Sequence, residues 1–258
     1  MVFNLPASMS DANPASQWQD PAFVRRFLND VRGSIPLAID QIDTMLRVIN
    51  AARDTVRKFL VLGSGDSLLA SAILDEHPAA KAFLVDDSQA AIDSARQYLR
   101  ARSDQLCLIH ADVRQAGWIS AVAAGIPFDA VISAAAVRHP EDAGRRLLYR
   151  QIYNLLRPEG VFISLEFVVS PTRFRESPSD DRMIDAIFAR QLREAPRAAR
   201  VEVARAYHAQ LRRDADELAP LEVRCDWLRE IGFESVDCFM KVQELAIFGG
   251  QRGAGDKQ

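Results

Sequence analysis

Cysteine is scarce in this sequence: three residues, Cys107, Cys225 and Cys238. The number is odd and no two form a C-x-x-C pair, which argues against both a disulfide framework and a zinc site; no metal is expected. Long apolar runs are missing too, and nothing approaches the roughly 18 residues that a membrane-spanning helix needs. No lysine or arginine precedes Arg25 and residues 1–20 lack an apolar centre, so the start reads as neither a secretory signal nor an Arg-rich transit peptide. There is no excess of one charge either. The 32 Lys+Arg against 35 Asp+Glu leave a formal charge of -3 and a pI near 5.9, so no long-range field draws in a phosphate backbone, and nucleic acid is excluded as the main partner. A reducing, cytoplasmic setting is the expectation.

What is present is ordinary globular composition, 48% hydrophobic and 26% charged over 258 residues, enough for one domain with additions rather than two full cores. Over residues 59–167, short apolar runs alternate with longer amphipathic stretches: FLVLG, AFLVD, LCLIH, FDAVISA and GVFISLEF. This is the β-α-β pattern of a parallel sheet, whose strands, buried on both faces, are continuously apolar. The helix over 88–100 starts at a Ser88 cap, and the one over 143–156 carries Leu147, Leu148, Ile152 and Leu155 before Arg157-Pro158-Glu159-Gly160 breaks it. Two regions fall outside the alternation. Residues 21–29 and 36–52 read as a helical pair, and the charged stretch 170–220 reads as two inserted helices broken near Pro196. A helix over 221–230, a stop at Gly232 and strand-like runs at 235–240 and 242–248, joined by a turn near Lys241, bring the chain back. The four glycines after 248 suggest a frayed tail.

The first strand runs through Val61-Leu62-Gly63-Ser64-Gly65-Asp66-Ser67 into a helix. Two glycines at this spacing let backbone pass close to a ligand and aim helix N–H groups at it, although a plain tight turn has the same form. The second strand ends in Asp86, where an acid can take both ribose hydroxyls of a nucleoside, or simply cap the strand. Together they indicate an adenosine-type cofactor. A dinucleotide fingerprint requires a small residue at position 68, and Leu68 stands there, which disfavours NAD and FAD.

With LVLGSGDSLLA, AFLVDDS, LIHADVR, PFDAVISAAAV and LLRPEGVFISLEF in this order, and DWLREIGFESVDCFMKVQELAIFGGQR closing, the sequence resembles the class I S-adenosylmethionine-dependent methyltransferases over about residues 59–250. The resemblance implies a Rossmann-like three-layer α/β sandwich, a mostly parallel seven-stranded sheet with an antiparallel last strand. It implies S-adenosylmethionine as cofactor, with Gly63, Ser64 and Gly65 cradling the methionine end and Asp86 on the ribose. Asp87 would lie beside the adenine, Asp112 would accept from its amino group with Val113 adjacent, and Ser133 and Ala134 would line the floor under the sulfonium. Two positions depart from the family: Val61 stands where an acid is usual and Ser67 where a third glycine is frequent.

Two candidates for the catalytic base sit at strand ends: His139, after the fourth strand, and Glu166, at the end of the fifth. Their alternatives are a surface loop histidine and a strand residue turned away from the crevice. Tyr207 and His208, in the insertion, are candidate substrate contacts, or else part of a helix face. His110 reads as a core histidine and the cysteines as packed small apolar residues. The expected units are an N-terminal helical cover (1–56), a cofactor-binding core (57–169), a helical lid (170–220), a returning core segment (221–250) and a flexible tail (251–258). The expected function is methyl transfer to a small-molecule acceptor. The alternatives are a non-methylating use of the same cofactor, suggested by Val61, or a cofactor-binding regulator without turnover. A second copy of the chain as partner stays open.

Overall fold

The computed structural model describes residues 38–63, 67–134, 141–169, 199–214, 219–242 and 244–255, with further positions between 181 and 192. The apolar runs form the strands β1 (Lys58–Leu62), β2 (Lys81–Asp86), β3 (Leu106–His110), β4 (Phe128–Ala134) and β5 (Leu156–Phe167). The chain closes with β6 (Phe233–Val242) and β7 (Leu245–Arg252). The helices of the described residues are α1 (Ala38–Ala52), α2 (Ser67–Glu76), α3 (Gln89–Tyr98), α4 (Trp118–Val122), α5 (Asp142–Leu155), α6 (Arg200–Asp214) and α7 (Leu221–Ile231). All seven strands form one sheet in the order β3-β2-β1-β4-β5-β7-β6. The first five pair in parallel, and β7 runs antiparallel to both its neighbours. The expected sheet is therefore present, with its antiparallel last strand set between β5 and β6 rather than at the edge.

Strand alternation divides the core into two layers. Phe59, Val61, Leu84, Ile132 and Ile163 pack with Met45 and Ile49 of α1, Leu69 and Ile73 of α2 and Ala95 of α3. Leu60, Leu62, Val85, Val131 and Phe162 pack with Trp118 of α4, Leu148 and Ile152 of α5 and Leu228 of α7. Ser88 does cap α3, its Oγ accepting from the Ala91 N–H at 3.2 Å, and Gly232 ends α7 with a φ of 113°. Leu147, counted on the apolar face of α5, is 57% exposed, because Arg145 and Tyr149 take the buried positions beside Leu148 and Ile152.

The closing hairpin departs from its sequence reading. β6 runs on through Lys241 to Val242, which pairs with Leu245, and β7 continues through Gly249 and Gly250 to Arg252, past the boundary at 250 where the tail was expected to begin. The glycines are there for closeness, not for looseness. A Cβ on Gly249 would lie 2.0 Å from the carbonyl oxygen of Phe162 on β5. Gly249→Ala should therefore force β5 and β7 apart at a cost of about 1–3 kcal/mol, read as a lower urea midpoint; an unchanged midpoint would mean that the backbone shifts freely there.

Of the two helical additions, α1 packs under β5, β6 and β7; residues 1–37 and the break near Pro196 lie outside the described residues. Positions 181–192 and α6 share a small core of their own, Ile184, Ile187, Val203 and Tyr207, and Arg200 joins them by bonding Asp181 and Asp185 at 2.9 and 2.6 Å.

Candidate functional site

Parallel strands that all enter helices at one edge present their carboxyl ends together, and in open α/β sheets that edge is where ligands bind, at the point where strand order reverses. Here the reversal falls at β1, between β2 and β4. Gly63 leaves β1 with a φ of 87°, a left-handed conformation that only glycine adopts without strain. Its N–H donates to the Val85 carbonyl at 2.9 Å, which places the turn next to Asp86. Ser64 and Gly65 lie outside the described residues.

Asp86 is half-buried at the end of β2, and its Oδ1 accepts from the Ser88 N–H at 2.9 Å. On the other side of Gly63, Ser133 is fully buried, in register with Leu62, and Ala134 ends β4 beside Leu165. The loops after β2 and β3 are tied together. The Ala111 N–H donates to the Asp86 carbonyl at 2.9 Å, and the His110 ring nitrogen lies 3.0 Å from the Asp87 carbonyl. This corrects the reading of His110 as a core residue; it is exposed, because it ends β3 at the sheet's carboxyl edge, where its ring meets the loop after β2 and not the core. Asp112, half-buried with Val113 beside it, accepts at Oδ1 from the backbone N–H and from Nε of Arg114, each at 2.8 Å. Burial alone would raise the Asp112 carboxyl, but donation from Arg114 outweighs it and holds the group below the usual carboxylate range.

Past β4 the edge becomes more polar. Glu166 is 5% exposed, and its Oε1 accepts from the hydroxyls of Ser133 at 3.3 Å and Ser164 at 3.4 Å. Two further residues, not anticipated from the sequence, stand behind it: Tyr149 of α5 and Arg224 in the first turn of α7, 0% and 1% exposed. The Tyr149 hydroxyl and the Nε and Nη1 of Arg224 have no hydrogen-bond partner among the described residues. Burial, opposed by the charge of Arg224, pushes the Tyr149 phenol up to about 12, so it is a donor at any working pH. Burial works against the Arg224 charge, but the charges of Glu166 and Asp142 favour it, and it stays a cation. The sequence did carry a signal for Arg224 and Arg145: both fall on the buried stripe of an amphipathic helix, where a charge is out of pattern.

His139 lies outside the described residues, between β4 and α5. Tyr207 is 1% exposed within the small core of the insertion, with the His208 ring edge-on to it at a centroid distance of 5.6 Å. The three thiols are free, and burial pushes all of them up, Cys225 to about 11, which makes them poor nucleophiles.

Residues 59–160 match the family model described as "Methyltransferase domain". Over these residues, about two-fifths of the chain, the sequence is similar to that family. They run from β1 into β5 and so include every candidate cofactor contact. The whole chain resembles several solved structures at the level of fold. An O-methyltransferase family protein from Burkholderia thailandensis is 17% identical with a TM-score of 0.55, over 90% of this chain and 63% of that one. Human N-acetylserotonin methyltransferase, solved with S-adenosylmethionine, is 14% identical with a TM-score of 0.56, over 97% and 61%. The N-methyltransferase NodS from Bradyrhizobium japonicum is 14% identical with a TM-score of 0.52, over 84% and 97%. The chain thus spans about three-fifths of the first two structures' length. No curated protein sequence matches it. Outside the matched residues, α6 and the β6–β7 hairpin are described by the structure alone.

Proposed function

We propose that the protein binds S-adenosylmethionine across the carboxyl ends of β1, β2 and β3 and transfers its methyl group to a small molecule held over the ends of β4 and β5. The observation that carries this reading is the Gly63 turn, left-handed and bonded to Val85, so that a glycine-only approach of backbone to ligand stands directly beside the Asp86 carboxylate. Gly63 with Ser64 and Gly65 would cradle the methionine portion, Asp86 would hold the ribose hydroxyls, and Asp87, Asp112 and Val113 would flank the adenine. Ser133 and Ala134 would form the floor, and Tyr207 and His208 would belong to the cover on the acceptor side. The bound cofactor supplies the electrophilic methyl group. The chain's own task is to align an acceptor atom with it, to exclude water and to take up a proton where the acceptor is a hydroxyl or amine. No helix among the described residues is long and apolar enough to cross a membrane.

Calorimetry with S-adenosylhomocysteine and with NAD tests the reading. Binding of the first and not the second is expected, and Asp86→Ala should weaken it by about 1.5–3 kcal/mol, as for a hydrogen bond to a charged group. An Asp86→Ala protein of unchanged affinity would remove Asp86 from the site; binding of NAD alone would replace the cofactor.

One observation favours a second reading, a non-methylating use of the same cofactor. Val61 is fully buried and paired with Leu84 and Ile132, so the end of β1 lacks the carboxylate that would orient the cofactor's amino group. Mass spectrometry of cofactor incubated with cell extract separates the readings by whether a methylated or another cofactor-derived product forms.

A further inference from the structure

Arg114 bonds both Asp87 and Asp112, the acids of the proposed adenine pocket, and has no role in the reading so far. Two loops supply acids to it. Its Nε and its backbone N–H both donate to Oδ1 of Asp112 at 2.8 Å, and its Nη2 reaches Oδ2 of Asp87 at 3.2 Å. The side chain of Gln115 is a further donor to Asp112. The loops themselves are fixed by the Ala111 N–H on the Asp86 carbonyl and the His110 ring on the Asp87 carbonyl. The side chains of Arg114, Asp87 and Asp112 are 42%, 48% and 24% exposed. Ion pairs this open contribute little to folding, so stability does not account for one guanidinium gathering carboxylates from two neighbouring strand ends.

Orientation does. A carboxylate rotates about its bond to Cβ, and on an open edge only its partners stop it. Arg114 binds one oxygen of Asp112 twice, once from the backbone and once from a planar guanidinium, and braces that guanidinium on Asp87. Such an arrangement fixes the plane of the Asp112 carboxylate and lowers the repulsion between the two acids. An ionised carboxylate is an acceptor only. Held still, it can receive the exocyclic amino group of a 6-aminopurine, and it opposes the carbonyl of a 6-oxopurine.

We propose that Arg114 is the positioning residue of the adenine pocket, holding Asp112 so that the site selects an adenosyl over an inosyl ligand. The proposal rests on the cofactor reading above and adds to it the source of base selectivity.

The test is calorimetric titration of the full-length protein, its Arg114→Ala variant and its Arg114→Lys variant with S-adenosylhomocysteine and S-inosylhomocysteine. The wild-type protein should prefer the adenosyl ligand by about 10–100-fold, the range of a hydrogen bond to a charged group. Arg114→Ala should reduce the preference to within about threefold, mostly by losing adenosyl affinity, while its melting temperature stays near that of wild type because the ion pairs are exposed. Arg114→Lys should recover part of the preference, since an ammonium keeps the charge but cannot hold two carboxylates in one plane. Wild-type selectivity in Arg114→Ala overturns the proposal, and so does a wild-type protein that binds both ligands equally. A wild-type protein that binds neither overturns the cofactor reading itself, which the two ligands thereby separate from the role of Arg114.

Discussion

Asp129→Ala should destabilise the protein by about 1–3 kcal/mol, the range for leaving buried donors without their acceptor. Asp129 opens β4 at the edge of the sheet opposite the site, with its side chain 3% exposed. Its Oδ2 accepts from the backbone N–H groups of Arg57 and Lys58 at 2.8 and 3.0 Å. Its Oδ1 accepts from Nη1 of Arg157 at 2.9 Å and faces Nε of Arg53 at 3.5 Å. One carboxylate thus fastens the end of α1, the start of β1 and the start of β5 to β4. Burial alone would raise its pKa, but the Lys58 N–H, Arg157 and the Arg57 N–H outweigh burial and hold it below the usual value. A depressed folded-state pKa contributes stability that is fully present above the unfolded value of about 3.9 and is lost as pH falls through the folded one. The gap between wild type and Asp129→Ala in urea denaturation should accordingly be widest near neutrality and narrow below about pH 3.9. A loss under about 1 kcal/mol at pH 7 would reduce the cluster to a surface ion pair.

The largest kinetic effect is expected at His139. A histidine with an ordinary pKa of about 6.5 is a neutral base near pH 7. As the acceptor's proton sink, it would make the methylation rate rise with pH through its own ionisation. His139→Ala should then slow turnover by roughly 10²–10⁴-fold with S-adenosylhomocysteine affinity nearly unchanged; a loss below about tenfold would return His139 to the surface. Glu166 is the other candidate, and its surroundings change how its variant must be read. Glu166→Gln keeps a carbonyl oxygen for Ser133 and Ser164 but takes a charge away from beside the buried Arg224 cation, and it should lower stability because that cation loses part of its compensation. Slow turnover by that variant identifies a base only if its melting temperature is preserved. Should neither change matter, alignment of the acceptor is the whole of the chemistry.

The first two strands were legible because each is a continuous apolar run ended by a residue that cannot stay in the core, Gly63 and Asp86. Periodicity and punctuation are local properties, and they survive folding unchanged. The path of the last hairpin was not legible, since Gly249 and Gly250 read as loose tail until a neighbouring backbone is placed against them. Asp129 escaped notice for the same reason: an acid inside FDAVISA has meaning only once Arg53, Arg57, Lys58 and Arg157 converge on it from other parts of the chain. In the site, Gly63 and Asp86 were readable from motif and spacing. Arg114 was hidden in plain sight in ADVR, because a charge in a turn is ordinarily solvent-facing, and the bracing of Asp87 through it depends on two loops meeting.

The place of β7 also governs how the molecule can be made. Because β7 fills the gap between β5 and β6, the longest strand, β5, has a bare edge until residues 245–252 arrive, some eighty positions after β5 itself has left the ribosome. Through that interval VFISLEF offers unpaired backbone to any other strand, the condition under which nascent chains pair with one another. A nascent chain stalled before the final hairpin would carry all five parallel strands and still be a poor candidate for solubility, so this protein is one whose synthesis should benefit from a chaperone that shields a sheet edge rather than a hydrophobic face.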